Sequence, residues 1–397
     1  MLPFRLMVNS HLRLQVIVFT LVTASFTNIY ITQPVLPILQ YEFRADPLLV
    51  SFTVSAVILG IALANLPFGY LADKLSVQPI ILTGGLLVAL GGLICALTPD
   101  LWVLITARFL QGLFIPALTT CLAAYLAKTL PLERLNVVMG SYVSATVLGG
   151  LGGRLLGGWI HPPLHWRYAF LSAASFILLA TVLAWQGLPR TRTAPARTAG
   201  DMIGFVELLR SWPLVALYGC AAGSFAIFSS IFNYLPFRLQ EPLFGFSTEL
   251  TTLVYLVYVV GIFMGPVSGR LSNRFGGGVT LVVGSIVLGI SLTLTLAPAI
   301  AAVIAGLVGI CSGFFAIHAA AVGSLNRKCS QGQGRANALY VLFYYVGGWL
   351  GITGSGLAYQ WGGWNYVIYL ALVLLAIPLS AGVAEVRARG RRMAAAM

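Results

Sequence analysis

The sequence is poor in charge, and above all in negative charge. Only 8% of its 397 residues are charged, with 23 lysines and arginines against ten aspartates and glutamates. Soluble domains carry about 25% charged residues. A chain whose residues are 59% hydrophobic cannot bury that much apolar surface in an aqueous fold. The low charge therefore excludes a soluble protein and indicates that lipid surrounds most of the chain.

Two further absences exclude classes of function. The five cysteines are not spaced as metal ligands, and thiols in apolar runs usually behave as small hydrophobes, so we expect no metal and no disulfide. No Gly-Lys-Ser or Gly-Lys-Thr phosphate loop occurs, and Gly276-Gly277-Gly278 is interpreted as a short turn. The sequence thus predicts no cofactor and no use of ATP.

Long apolar runs dominate what is present. A membrane helix needs about 20 apolar residues, and only helices or closed barrels satisfy the backbone in lipid. Runs this continuous are helices, because barrel strands alternate in polarity. We predict an all-α membrane protein with twelve transmembrane helices in two pseudo-symmetric six-helix bundles. The twelve runs lie near 14–38, 48–71, 79–97, 101–127, 135–159, 168–188, 212–237, 249–271, 278–297, 299–323, 336–359 and 364–384.

The basic residues predict orientation and domain boundaries. If the N-terminus is cytoplasmic, 18 of the 23 lysines and arginines fall on the inner side and three on the outer side. By the positive-inside rule, a multi-pass protein with both termini in the cytoplasm is expected. The net charge of +13 is then mainly an orientation signal and not a nucleic-acid footprint. The predicted domains are a bundle at 1–188, a basic cytoplasmic linker at 189–211, and a bundle with a basic tail at 212–397.

Two blocks of the sequence repeat at nearly the same offset. The segment 69–74 matches 269–274 at an offset of 200, and the glycines at 149, 150, 153 and 158 match those at 347, 348, 351 and 356 at an offset of 198. Six spans separate the copies, so both halves enter the membrane from the same side. A parallel repeat of this kind suits a transporter whose substrate site lies between the halves. Chance likeness of glycine-rich helices is the alternative.

A short motif follows the second predicted span. Gly69-Tyr70-Leu71-Ala72-Asp73-Lys74 ends the span with a glycine and brings an acid and a base to its edge. The motif resembles the signature between helices two and three of the major facilitator superfamily, and the twelve spans, two halves and linker extend the resemblance over the whole chain. The family pattern continues with a glycine and basic residues, where this sequence has Ser76-Val77-Gln78. The resemblance implies that Gly69, Asp73 and Lys74 form an inner gate; a solvated loop pair is the alternative.

Two further motifs resemble those of the drug/proton antiporter and arabinose-efflux-like exporter branch. The fourth span holds Arg108 followed by Gln111-Gly112, and in related exporters this arginine takes part in coupling, so Arg108 and Gln111 are predicted coupling residues. Snorkelling of Arg108 to the outer surface is the alternative.

The fifth span is rich in glycine, although Ala145-Thr146 replaces the family's Gly-Pro pair. Its Gly149, Gly150 and Gly153 either form a hinge or only allow close packing.

Polar side chains within the spans are the candidates for a substrate cavity. His318 is either a satisfied core residue or a third coupling residue that carries the proton. Arg154 snorkels, pairs with an outer acid, or meets an anionic substrate. No carboxylate falls at the centre of a span, which favours a neutral or anionic substrate. The predicted cavity residues are Asn28, Tyr30, Gln33, Arg154, Asn233, Tyr234, Tyr255, Tyr258, Tyr340 and Tyr344.

The resemblance implies a secondary transporter that exports a small organic molecule by alternating access in exchange for protons. It further implies a monomer in a bacterial inner membrane, with no catalytic residues. An uptake symporter or facilitator for a small anionic or amphiphilic solute stays open within the same architecture. A membrane-embedded enzyme or receptor is the third hypothesis; it requires a catalytic constellation at one depth, which the four histidines and the peripheral acids do not supply.

Overall fold

Helices form almost all of the described structure. The computed structural model describes residues 4–189, 204–329 and 332–396, and no β-strand occurs among them. Continuous apolar runs become helices because each backbone group then finds its partner within the same segment, as lipid requires. The predicted all-α membrane fold is confirmed.

The described residues form two compact units. Unit 1 comprises 4–43 and 56–189, and unit 2 comprises 44–55, 204–329 and 332–396. The sequence assigns 44–55 to the first half, whereas this segment, which contains the start of the helix Pro47–Lys74, clusters with unit 2. Of the predicted linker, residues 190–203 lie outside the described residues, and a short helix occupies part of the rest.

Among the described residues of the first half, 4–189, there are eight helices and one 3₁₀ turn. They are α1 (Phe4–Tyr30), the turn Gln33–Val35, α2 (Leu36–Phe43), α3 (Pro47–Lys74), α4 (Val77–Leu97), α5 (Leu101–Leu118), α6 (Thr120–Thr129), α7 (Leu132–Ile160) and α8 (Arg167–Gly187). Asp100 caps α5 by accepting a hydrogen bond of 2.9 Å from the Val103 amide. α5 and α6 together supply one span, interrupted just after Pro116, whose missing N–H weakens the helix there.

The residues described from 204 onward form eight further helices and another 3₁₀ segment. They are α9 (Phe205–Arg210), α10 (Trp212–Gln240), α11 (Thr248–Val254), the segment Tyr255–Val259, α12 (Val260–Phe275), α13 (Gly277–Leu294), α14 (Ile300–Lys328), α15 (Gln333–Leu374) and α16 (Ala376–Ala396). Within α15, Gly362 and Gly363 leave helical geometry, with φ of +61° at Gly363. A 42-residue helix would be roughly 63 Å long, about twice the hydrocarbon core, so this break separates two passes.

The described residues supply twelve segments of membrane length. Ten stretches are both long and apolar enough to cross a bilayer. The longest, Gln333–Arg391, contains the break at Gly362 and therefore holds two passes. α7 is not among the ten, but its 29 residues are long enough to span. These segments match the twelve runs that the sequence predicts.

The repeated glycines lie at equivalent helix contacts in the two units. In unit 1, α7 packs along α1 so closely that a Cβ on Gly153 would overlap the Thr27 carbonyl oxygen. In unit 2, α15 packs along α10, and a Cβ on Gly351 would overlap the Ala226 carbonyl oxygen. Both contacts bring backbone against backbone, as small residues allow in membrane bundles. The offset repeat in the sequence thus corresponds to one packing arrangement used twice.

Candidate functional site

Arg108 lies in the middle of a buried hydrogen-bond network in unit 1. Its side chain is 0% exposed. Its guanidinium donates 2.7 Å to Gln111 Oε1 and 2.6 Å to the Ile29 carbonyl, and Gln111 Nε2 donates 2.9 Å to the Val88 carbonyl. The network joins α5 to α1 and α4, and the guanidinium also lies 5.5 Å from the Phe170 ring of α8. Arg108 therefore points inward and does not snorkel to the surface.

A second buried arginine gathers two of the predicted cavity residues. Arg154 is 2% exposed; its Nε donates 2.8 Å to Gln33 Oε1 and its Nη1 donates 2.6 Å to the Gly150 carbonyl. The guanidinium carbon lies 4.0 Å from the Tyr30 ring centroid, within reach of a cation–π interaction. Arg154, Gln33 and Tyr30 therefore form one cluster, which holds a positive charge deep within unit 1.

Buried amides in both units have open hydrogen-bonding capacity. Asn28 donates 2.8 Å to the Ala24 carbonyl, and Asn233 donates 2.8 Å to Ser51 Oγ. Among the described residues, Asn28 Oδ1, Gln33 Nε2 and Asn233 Oδ1 have no protein partner. Leaving a buried polar atom unpaired costs about 1–3 kcal/mol. These atoms are therefore suited to bind water or a solute.

His318 lies on an aromatic cluster in unit 2. Its Nδ1 is 3.0 Å from Tyr340 Oη, a hydrogen bond whose direction depends on the imidazole tautomer. The imidazole centroid lies 5.3 Å from the Tyr344 ring and 6.1 Å from the Phe314 ring. His318 is only partly buried, whereas Tyr340 is 2% exposed. The imidazole is therefore partly exposed and hydrogen-bonded to a buried hydroxyl.

The remaining predicted tyrosines of unit 2 have structural contacts. Tyr234 donates 3.1 Å to the Ile352 carbonyl, and Tyr255 donates 2.9 Å to the Phe232 carbonyl. Tyr258 packs with its ring centroid 4.5 Å from that of Phe232. All three are buried, and their hydroxyls or rings hold neighbouring helices together.

Asp73 of the gate motif forms an ion pair with Lys128, a residue outside every motif that the sequence contains. Asp73 Oδ1 lies 2.8 Å from Lys128 Nζ at the end of α6, and Lys128 also donates 2.8 Å to the Ala72 carbonyl. Lys74 instead lies over the Tyr70 ring, with its Nζ 4.5 Å from the centroid. In this structure Asp73 of the predicted gate motif therefore pairs with Lys128 and not with Lys74. The sequence signal for Lys128 is its position, as a basic residue at the end of a neighbouring span.

A polar cluster at the opposite end of unit 1 is also absent from the predictions. Glu42 accepts hydrogen bonds of 2.5 Å from Trp166 and 2.6 Å from Arg167, which also donates 2.8 Å to the Thr98 carbonyl. Burial is the largest cause that lowers the pKa of the adjacent His165, and Glu42 opposes it. The imidazole is therefore neutral at pH 7, so Arg167 supplies the charge that pairs with Glu42.

Comparison with known proteins finds one family over most of the chain. The sequence profile of the Major Facilitator Superfamily matches residues 18–329. The inner membrane transport protein YnfM of Escherichia coli (strain K12) is 27% identical over 377 residues, covering 94% of this chain and 90% of that protein. The uncharacterized MFS-type transporter YybF of Bacillus subtilis (strain 168) is 26% identical, covering 89% of each.

A solved structure has the same fold. A bacterial homologue of the human lysosomal transporter Spinster, in an inward-facing and unoccupied conformation, superposes with a TM-score of 0.75. The alignment covers 98% of both chains at 16% sequence identity. At this identity the likeness concerns the fold alone.

Proposed function

Because this chain belongs to the Major Facilitator Superfamily and is a multi-pass membrane transporter, not an enzyme, we propose that it exports a small organic molecule in exchange for protons. It acts as a monomer in a bacterial inner membrane with both termini in the cytoplasm. Alternating access exposes a central site to each side in turn, and Asp73 with its gate motif stabilises the conformation closed to the cytoplasm. The proposal depends most on Arg108, a charged residue held without solvent exposure inside a span.

Arg108 supports coupling because its bonds cross between helices. A charge at the bilayer centre costs roughly 3 kcal/mol or more, and such residues are retained where they face protein or a substrate path. Three helices contribute to its network, so a movement of α1, α4 and α5 relative to one another would break or remake those bonds. A change of protonation or substrate occupancy nearby then alters the relative stability of two conformations.

His318 supports the role of proton carrier. Among the described residues that lie well inside a span, it is the one whose side chain ordinarily titrates near neutral pH. Its bond to Tyr340 fixes one ring nitrogen, and the ring remains partly exposed. In this scheme a proton enters on His318 from the outer side and leaves to the cytoplasm while substrate moves outward.

Transport in an imposed pH gradient tests the direction of coupling. We expect purified protein in liposomes with an acidic interior to accumulate external substrate, because outward proton flow drives inward solute movement in an antiporter. Substrates are first selected from metabolites and drugs by thermal shifts that scale with concentration. Protein-free liposomes and liposomes without a gradient are the controls. Accumulation only when the exterior is acidic would replace export with symport.

A second candidate function rests on the charges of the buried side chains. Among described residues, the buried charged side chains are Arg108, Arg154 and Arg238, and no carboxylate is buried with them. Arg154 with the free Gln33 Nε2 is suited to bind an anion. This arrangement favours uptake of a small anionic solute, which the acidic-exterior experiment detects directly.

Substitution of His318 tests its part in proton coupling. We expect His318→Gln to reduce gradient-driven accumulation at least about tenfold, equivalent to about 1.4 kcal/mol, because glutamine retains a hydrogen bond to Tyr340 but cannot carry a proton. Counterflow, which needs no net proton movement, should remain near the wild-type rate. His161→Gln, in the loop after α7, is the matched control. Undiminished accumulation by His318→Gln would remove His318 from the coupling path.

A further inference from the structure

A basic cavity opens in unit 2 around the glycine turn that precedes α13. It has a volume of about 660 Å³ and is lined by the starts of α10 and α13, the ends of α12 and α14, and the middle of α16. A second cavity of about 320 Å³ adjoins it, sharing Gly276, Glu385 and Arg389. Small-molecule sites usually measure about 300–1,000 Å³. The larger cavity is therefore big enough for a small organic anion and not only for a single ion.

The charged side chains of the two cavities are predominantly basic. Arg327, Lys328, Arg389 and Arg274 supply four positive charges and Glu385 one negative charge, a balance of +3. Glu385 lies 2.8 Å from Lys328 Nζ, and both are largely shielded from solvent, so this pair neutralises itself. The three arginines remain to bind an anion, and their planar groups fit phosphate oxygens in pairs.

The glycine turn between α12 and α13 lets the arginines approach the backbone closely. Gly276 has φ of +97°, a conformation that side chains other than glycine rarely adopt, and a Cβ there would collide with Arg389 Nη1. A Cβ on Gly277 would lie 2.9 Å from Arg327 Nη2. Arg389 donates 2.6 Å to the Phe275 carbonyl and Arg327 donates 3.1 Å to Ser324 Oγ. Each of these bonds uses one of the five N–H donors of a guanidinium.

The start of α13 adds to the positive potential of the same cavity. The helix begins at Gly277 and has 18 residues, and its first N–H groups lack intrahelical acceptors. Gly276, Gly277 and Gly278 all line the larger cavity. A helix N-terminus favours anions through these N–H groups and the helix dipole. Here it is combined with arginines from two other helices, α14 and α16.

We propose that this cavity binds a phosphate-bearing anion, either a soluble phosphorylated molecule or the headgroup of an anionic phospholipid. In the proposed orientation the cavity lies on the cytoplasmic side. Bound phosphate would join α16 to α14 through Arg389 and Arg327, beside the turn before α13. The proposal does not depend on the transported substrate or the coupling ion, because none of these residues belongs to the Arg108, Arg154 or His318 clusters.

Direct binding measurements on the purified full-length protein test this site. Inorganic phosphate and glycerol 3-phosphate are titrated in detergent, and phosphatidylglycerol is compared with phosphatidylcholine in nanodiscs by native mass spectrometry. We expect Arg327→Ala and Arg389→Ala each to weaken binding roughly three- to tenfold, as loss of a partly exposed charge implies. Arg387→Ala, an exposed arginine on α16 outside the cavity, should change it little.

One variant should strengthen binding, which damage to the fold would not do. Glu385→Gln removes the negative charge and releases Lys328, so we expect tighter binding of the same probe. Binding of phosphatidylglycerol without binding of inorganic phosphate or glycerol 3-phosphate would identify the lipid headgroup as the ligand. Binding of the soluble probes without binding of phosphatidylglycerol would identify a soluble ligand. If no probe binds, or if Arg387→Ala weakens binding as much as Arg389→Ala, the proposal is wrong.

Discussion

Arg108→Ala should reduce gradient-driven transport to background while the protein still inserts in the membrane. The substitution removes two charge-assisted hydrogen bonds, to Gln111 and to the Ile29 carbonyl. Such bonds contribute about 1.5–3 kcal/mol each, and every 1.4 kcal/mol is a factor of ten. We therefore expect a loss of at least about 100-fold in gradient-driven flux. Flux is measured in liposomes containing equal amounts of wild-type and variant protein.

Two companion variants separate the charge of Arg108 from its hydrogen bonds. Arg108→Lys keeps the positive charge but lacks the planar fork whose two terminal nitrogens separately reach Gln111 and the Ile29 carbonyl, so an intermediate flux is expected. Gln111→Glu would pair an acid with Arg108 and strengthen that bond but lose the bond from Gln111 Nε2 to the Val88 carbonyl, so flux should fall although Arg108 keeps its partner. Arg270→Ala, on the exposed face of α12, is the control for loss of an arginine. Full flux in Arg108→Ala would refute a coupling role and leave the fold unaffected.

The sequence predicts where Arg108 lies but not what it contacts. A lone arginine in an apolar run must face protein, water or an interface, and this follows from the energetics of lipid alone. Its partner carbonyl belongs to Ile29, 79 residues earlier, and carbonyls carry no signal in a sequence. For the Asp73–Lys128 pair the sequence offers a basic residue at the end of a neighbouring span, but it does not indicate which helix ends meet.

Span positions were the most predictable part of the fold, because length and hydropathy determine them. The predicted boundary between the eleventh and twelfth spans, after 359 and before 364, agrees with the break at Gly362 and Gly363. Kinks inside spans were not predicted, such as the 3₁₀ segment Tyr255–Val259. The clustering of 44–55 with unit 2 does not follow from the sequence, since no local pattern indicates which bundle a helix end packs against.

The two units should respond alike to one added methyl group, because they share one mode of glycine packing. Gly153→Ala would drive a Cβ into the Thr27 carbonyl oxygen, and Gly351→Ala would do the same at Ala226. Neither backbone carbonyl can rotate away as a side chain could. Overpacking usually costs about 1–3 kcal/mol, and these contacts belong at the upper end of that range because whole helices must separate. We expect lower thermal unfolding midpoints and strongly reduced transport for both variants.

Neighbouring glycines provide matched controls in the same helices. A Cβ on Gly152 would meet Thr27 Oγ1 at 3.8 Å, and one on Gly354 would meet Leu370 Cδ2 at 3.7 Å, both ordinary contacts. Alanine there should be neutral or stabilise the helix by up to about 1 kcal/mol. Midpoints are compared by scanning fluorimetry in one detergent. Equal midpoints for Gly152→Ala and Gly153→Ala would contradict close packing, whereas a normal midpoint with lost transport in Gly153→Ala would make this contact a hinge.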